Sequence, residues 1–357
     1  MLHPMIKFEH RPVRYGEDLI VIGGTVPGIG TEIDDPDGWV WALLESLDGT
    51  RTVGQIVADL AHRFPTHPAA EVREAITRLD AAGYLHEAGP AIPPGRHQTA
   101  LALWRWVDRT PGRSAHDVQM LLAQARVTVI GVGGAGATAA LALTVAGIGQ
   151  IHCVDDDVVE VSNLNRQILY TENDLGRPKV EVAVQRLREH NSEVRVTGAR
   201  ERVDDTAALR ALAIGCDVLV LAADTPSEIR YWTAKACQET GTGWVHGGYE
   251  GPRVSVGLYQ PGTGPCHDCG QTARRHAQAA GPPVTFWSPG AGVAVTHAAN
   301  VITACTTGLL AAHATMSLIT GAPPVPANGE FGWNLVRLDN SQRLGLDSPH
   351  PGCPTCG

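Results

Sequence analysis

The chain has 357 residues, 43% of them apolar and 18% charged, with a formal net charge of -9 and a pI near 5.9. This composition allows a sizeable core in two domains and excludes a disordered chain. The acidic balance excludes a non-specific nucleic-acid binder, which needs a basic face. No run approaches the ~18 consecutive apolar residues of a membrane span. The opening MLHPMIKFEHRPVRYG has no apolar export segment, so a cytoplasmic setting is expected.

In chain order, strand-like runs come first at Met5–Val13 and Leu19–Ile22, followed by a loop rich in Gly, Pro and Asp. Helical patterning then covers Trp39–Leu47, Val53–Phe64 and Ala69–Ala82. Ile56, Leu60 and Phe64 mark the buried stripe of the second helix. Thr52 is placed to cap it, with Gln55 in capping-box position. Pro65 and Pro68 break the chain before the third. This small α+β unit closes at residue 89. Residues 90–104 begin with the Pro- and Gly-rich PAIPPGRHQTA and read as a linker. A helix is expected over roughly Leu101–Gln124.

From Arg126 onward strand and helix patterns alternate. Strands are expected at VTVI before Gly131, at Gln150–Val154, Val194–Thr197 and Asp217–Ala222. Helices are expected at Ala137–Ala146, Lys179–Glu189 and Ile229–Thr240. Alternation of this kind predicts a doubly wound, mostly parallel α/β sheet.

Two constellations carry chemistry. The first opens with GVGGAG, Gly131 to Gly136, directly after a strand and at the start of a helix. Gly131, Gly133, Gly134 and Gly136 would permit a tight turn and bring backbone amides to a phosphate. Asp155 lies about 20 residues on, where a ribose-binding carboxylate belongs. The polar segment Asp155–Gln167, with Asp157, Asn163 and Arg166, precedes GRPKVE, which contains Lys179. LAAD then ends a further strand at Asp224. Cations for phosphate and an acid suited to magnesium fit adenylyl transfer better than hydride transfer, because charge builds on the phosphates.

The second constellation pairs Cys266-His267-Asp268-Cys269 with Cys353-Pro354-Thr355-Cys356. Four thiolates suit tetrahedral zinc, and they leave no open position for catalysis. More than 80 residues separate the two knuckles, which fits a clasp tying the distal knuckle back to the domain. Cys237 and Cys305 lie in apolar helical stretches and read as packed thiols. His246, in VHGGYEG, reads as structural.

The motifs GVGGAG, DDDVVEVSNLNRQ, GRPKVE and AAD, in this order and spacing, resemble the ThiF/MoeB adenylyltransferases, relatives of the ubiquitin-activating enzymes. The resemblance covers about residues 105–357. It implies a Rossmann-like fold with ATP along Gly131–Gly136, the ribose on Asp155, Asn163 and Arg166 over the phosphates, Lys179 on phosphate, and Mg2+ on Asp224. It also implies a structural zinc site and a homodimer in which an arginine of the partner subunit reaches the nucleotide. Arg109 is nearest the expected spacing, with Arg105 and Arg113 as rivals; the usual aromatic-x-Arg-Gln signature is absent.

The N-terminal segment LLESLDGTRTVGQIVADLAHRFP…AAEVREAITRLDAAGYLHE, roughly residues 43–87, resembles PqqD-like domains, also called RiPP recognition elements. That resemblance implies a small winged-helix-like unit which binds the leader of a ribosomally made precursor peptide as an added strand. Together the two resemblances imply ATP-dependent adenylation of a carboxylate or amide oxygen on such a peptide, with a partner biosynthetic enzyme as a further expectation. Activation of a sulfur-carrier protein, as in thiamine or molybdopterin pathways, is the second reading. A catalytically silent leader-binding scaffold for a partner cyclase is the third.

Overall fold

The computed structural model describes residues 1–24, 26, 28–89, 95–285, 287 and 297–356. It contains two compact units, Met1–Met120 and Leu121–Gly357.

In the first unit, β1 (Pro4–Ile6) pairs antiparallel with β5 (Leu85–Glu87). A separate three-stranded meander has β3 (Leu19–Ile22) between β2 (Val13–Tyr15) and β4 (Thr31–Asp34). The expected run Met5–Val13 is therefore not one strand: Phe8–His10 forms a 3-10 turn that separates β1 from β2. β4 lies where only a loop was expected. Its side chains are mostly exposed, so it lacks the apolar alternation that marks a half-buried strand.

Three helices follow: α1 (Trp39–Ser46), α2 (Val53–Arg63) and α3 (Ala69–Ala81). The Thr52–Gln55 capping box is present in both directions; a cap of this kind stabilises by about 1 kcal/mol. Ile56 and Leu60 of α2, Ile20 and Ile22 of β3, Leu43 of α1 and Val72 of α3 are almost fully buried in one core. Each such side chain contributes roughly 1.5–3 kcal/mol relative to exposure.

The helix expected over Leu101–Gln124 is two, α4 (Gln98–Val107) and α5 (Ala115–Gln124). The Thr110-Pro111-Gly112 turn divides them, and Asp108 fixes it by accepting from the Thr110 amide and pairing with Arg113. α4 begins inside the expected linker; residues 90–94 of that linker lie outside the described residues.

The second unit is built on an eight-stranded sheet. Its strands are β6 (Arg126–Ile130), β7 (Gln150–Val154), β8 (Arg195–Ala199), β9 (Val218–Leu221), β10 (Gly243–Glu250), β11 (Arg253–Tyr259), β12 (Gly329–Asn334) and β13 (Arg337–Leu344). The order is β13-β12-β11-β10-β9-β6-β7-β8. The five strands from β10 to β8 are parallel, and β11, β12 and β13 add on antiparallel beyond β10. Helices α6 (Gly134–Ala146), α7 (Lys179–His190), α8 (Thr206–Ile214), α9 (Ile229–Thr240), α10 (His267–Ala280) and α11 (Val301–Thr320) complete it. This is the expected Rossmann-like α/β architecture. β9, Val-Leu-Val-Leu, is buried along its whole length, as a central parallel strand should be.

α11 is long and apolar enough to cross a membrane by length and hydropathy alone. It is instead a core helix, packed on α6 and on β9 to β11. Gly308 permits this, since a Cβ there would lie 2.4 Å from the Ala135 carbonyl oxygen.

Strand order reverses between β6 and β9. The chain moves outward through β7 and β8 on one side, then returns to build β9 and β10 on the other. In such sheets the crevice beyond the carboxyl ends at the reversal is the ligand site.

Candidate nucleotide cleft and thiolate cluster

A cleft of about 480 Å3 opens at that reversal. Its floor is the turn from β6 into α6. Gly131 has φ +82°, and a Cβ on Gly136 would lie 1.8 Å from the Gly131 carbonyl oxygen. No side chain fits at either place, so the turn is as tight as a phosphate loop requires. Gly133 instead faces open space, its nearest neighbour being Nε2 of Gln167 at 3.6 Å.

Asp155, Asp157, Arg166, Lys179 and Asp224 all line this cleft together with the glycine turn. Asp155 stands at the end of β7. Its carboxylate accepts from the Val132 amide at 2.7 Å and the Asp157 amide at 2.9 Å. Burial nonetheless pushes its pKa above the usual carboxylate value, against those two amides and the Lys179 charge. Lys179 opens α7 and is nearly buried, and its Nζ donates to Oδ2 of Asp157 at 2.8 Å. Arg166 donates to the Ser162 carbonyl and to Oδ1 of Asn165. Asp224 is exposed in the loop after β9.

Asn163 stands apart from this wall. Its amide braces the Val161–Asn163 turn, accepting from the Glu160 amide and donating to Ser162 Oγ. The three candidate arginines for the partner role are all engaged within the first unit. Arg109 donates to the Ala82 carbonyl and stacks on Tyr84, Arg105 pairs with Glu9, and Arg113 with Asp108.

The cleft also holds residues that the motifs did not single out. Gln167 is buried and its Oε1 has no partner among the described residues. Arg230 is half-buried in the first turn of α9, with no carboxylate partner among the described residues. A cation there opposes the positive end of the helix dipole. That placement in the sequence was the available signal for an anion nearby. A Cβ on Gly248 would lie 3.1 Å from Nη2 of Arg230. Tyr249 and His297 meet at the cleft rim, their rings tilted by 50° with centroids 5.3 Å apart.

The four cysteines of the two knuckles converge. Their Sγ atoms lie within 4.8 Å of one another, with separations of 3.8 Å for Cys266–Cys269, 3.5 Å for Cys266–Cys353 and 3.3 Å for Cys269–Cys356. A tetrahedral zinc with bonds of ~2.3 Å sets edges of ~3.8 Å, so the cluster fits that ion. The His350 amide donates to Cys269 Sγ and the Thr355 amide to Cys353 Sγ. Thr355 also reaches Asp268, which holds His267.

His246 lies inward of the cleft, fully buried among Trp244, Tyr259 and His267, with both ring nitrogens unpartnered among the described residues. Burial lowers its pKa well below the usual value. Its neighbour across the ladder is Gly257, where a Cβ would meet the ring at 2.3 Å. Cys237 is fully buried, with its thiol pKa raised by desolvation; Cys305 accepts from Thr138 in the α6–α11 contact.

Residues 109–355 match the model of the ThiF family. The chain belongs to that family. Residues 10–64 match the PaaA-like N-terminal domain. Among curated ThiF-type relatives, the sulfur carrier protein ThiS adenylyltransferase of Bacillus subtilis is 32% identical over 244 residues, covering 67% of each chain. The adenylyltransferase and sulfurtransferase MOCS3 of Arabidopsis thaliana is 37% identical over 155 residues, 43% of this chain and 33% of that protein. The chain thus spans about a third of the plant protein, and 54% of the Haloferax volcanii SAMP-activating enzyme E1. Among solved structures, E. coli MccB superposes with a TM-score of 0.80 at 21% identity, over 99% of this chain and 96% of that one. PaaA superposes with a TM-score of 0.66 at 22% identity, over 95% and 98%. At these identities the likeness establishes the fold.

Proposed function

We propose that this ThiF-family protein is an ATP-dependent adenylyltransferase acting on a carboxylate or amide oxygen of a ribosomally synthesised precursor peptide. The observation that carries the reading is the union, in one chain, of a PaaA-like N-terminal domain with a cleft in which Arg166, Lys179 and Arg230 meet Asp155 and Asp224. ATP lies on the glycine turn with its ribose on Asp155. A substrate oxygen attacks the α-phosphorus, an O–P bond forms, and pyrophosphate leaves with the electron pair of the broken bond. Arg166 and Lys179 offset the charge that develops, and Asp224 holds Mg2+. Zinc on the four thiolates is structural. MccB has been solved with ATP and, separately, with the peptide MccA, which supports both ligand classes for this fold. A homodimer with Arg109 acting across it belongs to the same reading, and requires Arg109 to leave Ala82 and Tyr84.

Peptide-dependent pyrophosphate release should vanish in Arg166→Ala and in Asp224→Ala; full activity in both variants sinks the assignment.

The identity to the B. subtilis ThiS adenylyltransferase favours a second reading, activation of a sulfur-carrier protein. A carrier ending in Gly-Gly tested against a leader-bearing peptide decides between them. Absence of ATP binding in the wild-type protein would favour a silent scaffold.

A further inference from the structure

One face of the eight-stranded sheet carries cations beyond the nucleotide cleft. The ladders place Gly248 of β10, Ser255 of β11 and Gly332 of β12 directly opposite one another, so the three positions share a face. A Cβ on Gly248 would lie 3.1 Å from Nη2 of Arg230 and 3.6 Å from Oγ of Ser255. A Cβ on Gly332 would lie 3.5 Å from Nε of Arg253. Each arginine therefore lies over a glycine, and Ser255 supplies the side chain between them. Neighbouring strands are ~4.8 Å apart, so the two cations stand roughly 10 Å apart across this row.

Their charges are not matched. Arg253 and Arg274 both approach Glu330, each at 3.7 Å, which is beyond hydrogen-bond distance. Glu250, opposite Arg253 in the ladder, is exposed and makes no ion pair among the described residues. Arg230 has no carboxylate either. Three guanidinium groups thus share one carboxylate, in a chain whose net charge is -9. Each offers a planar fork of donors suited to carboxylate or phosphate.

Gly248 and Arg230 line the nucleotide cleft, whereas Arg253 and Arg274 do not. A phosphate of ATP can answer Arg230, and it leaves the other two unanswered. An apolar group gains nothing from any of them. A carboxylate over Ser255 stands about 5 Å from the two strand positions beneath Arg230 and Arg253, within reach of both forks and of the serine hydroxyl.

We propose that the Gly248–Ser255–Gly332 row seats a carboxylate of the acyl substrate other than the group that is activated, held by Arg230 and Arg253, with Arg274 adding to the field. The substrate residue is then acidic, or it carries a terminal carboxylate beside the reacting group. This rests on the adenylation reading above and narrows it to a substrate class.

The test uses three stable mimics of an acyl-adenylate built on sulfamoyladenosine. N-acetylglutamate joined through its α-carbonyl leaves the side-chain carboxylate free. The same residue joined through its γ-carbonyl leaves the α-carboxylate free. N-acetylglutamine joined through its α-carbonyl has neither. The adenosine anchors each probe in the cleft. The full, zinc-loaded chain is titrated by calorimetry as wild type, Arg253→Gln and Arg274→Gln, with ATP alongside. Both side chains are about half exposed, so the variants are expected to fold.

Wild type should prefer one carboxylate-bearing probe over the glutaminyl probe by about tenfold. That preference should fall to about twofold or less in Arg253→Gln and by about threefold in Arg274→Gln, while affinity for the glutaminyl probe changes little. The favoured glutamyl isomer identifies which carboxylate occupies the seat. Equal affinity for all three probes in wild type, or an undiminished preference in Arg253→Gln, overturns the proposal. So does binding of ATP without any probe. Probes that bind without preference remove the seat and leave the adenylation reading standing; failure of ATP and of every probe removes the adenylation reading, and the seat with it.

Discussion

Nζ of Lys179 sits 2.8 Å from Oδ2 of Asp157, so the lysine expected to meet phosphate is already held by a carboxylate of the same cleft. A triphosphate must take that ammonium from Asp157, or share it. Lys179→Met should weaken ATP binding by roughly 10–100-fold, the range expected for a charged hydrogen bond of about 1.5–3 kcal/mol. Asp157→Asn should leave affinity unchanged or raise it, because the competitor is gone. Isothermal titration with MgATP measures both; equal losses in the two variants would mean that the pair acts as a unit.

The glycine turn gives a contrast between two alanines. Gly136→Ala places a methyl 1.8 Å from the Gly131 carbonyl oxygen, so the turn must open. Loss of ATP binding together with a lower melting temperature is expected. Gly133→Ala meets only the end of Gln167 at 3.6 Å. That variant should melt like wild type and still bind ATP less well, because its methyl occupies ligand space.

Removing metal should loosen the second unit before it touches chemistry. Cys353→Ser, or a strong chelator, is expected to cost about 3 kcal/mol or more, lowering the melting temperature by about 6–12 °C in a unit of this size. Zinc content by mass spectrometry and thiol titration should show one ion per chain and four protected thiols. An unchanged melting temperature in metal-free protein would remove the structural role.

His67 gives the first unit a pH dependence. Its ring lies between Asp37 at 2.6 Å and Glu71 at 3.2 Å, stacked on Trp39. The hydrogen bond to Asp37, chiefly, raises its pKa. A raised folded-state value means that protonated His67 stabilises fully below its unfolded pKa of about 6.5. The contribution disappears as pH rises through the higher folded value. Wild type should therefore exceed His67→Gln in melting temperature at pH 5.5, and the difference should shrink by pH 8.5. Trp39 fluorescence reports the same transition locally.

Much of this was legible in the sequence wherever a local rule applied. The Thr52–Gln55 box, the strand at Gln150–Val154 and the helix at Ile229–Thr240 rest on caps and periodicity, and the structure has them at those residues. The tight glycine turn and the convergence of the cysteine knuckles were legible because each needs fixed residue types at fixed spacing. β4 was not, because an exposed edge strand needs no apolar alternation. The antiparallel β11–β13 extension was missed because it is set by partners: Gly257 matters only because His246 lies opposite it. Arg230 and Gln167 reached the cleft through tertiary placement, and Asn163 left it because its amide was taken by a turn next door.

The thiolate cluster has a topological consequence. A zinc on these thiolates would join Cys269 to Cys353 through one centre and close the chain between them, with α11, β12 and β13, into a ring whose ends stay fixed whatever its perimeter. Each doubling of such a ring costs only about 0.6 kcal/mol in closure entropy. Such a ring tolerates a change of length in its surface connections while the strands beyond them stay anchored. New substrate contacts could be tried there without loosening the sheet that carries the cleft.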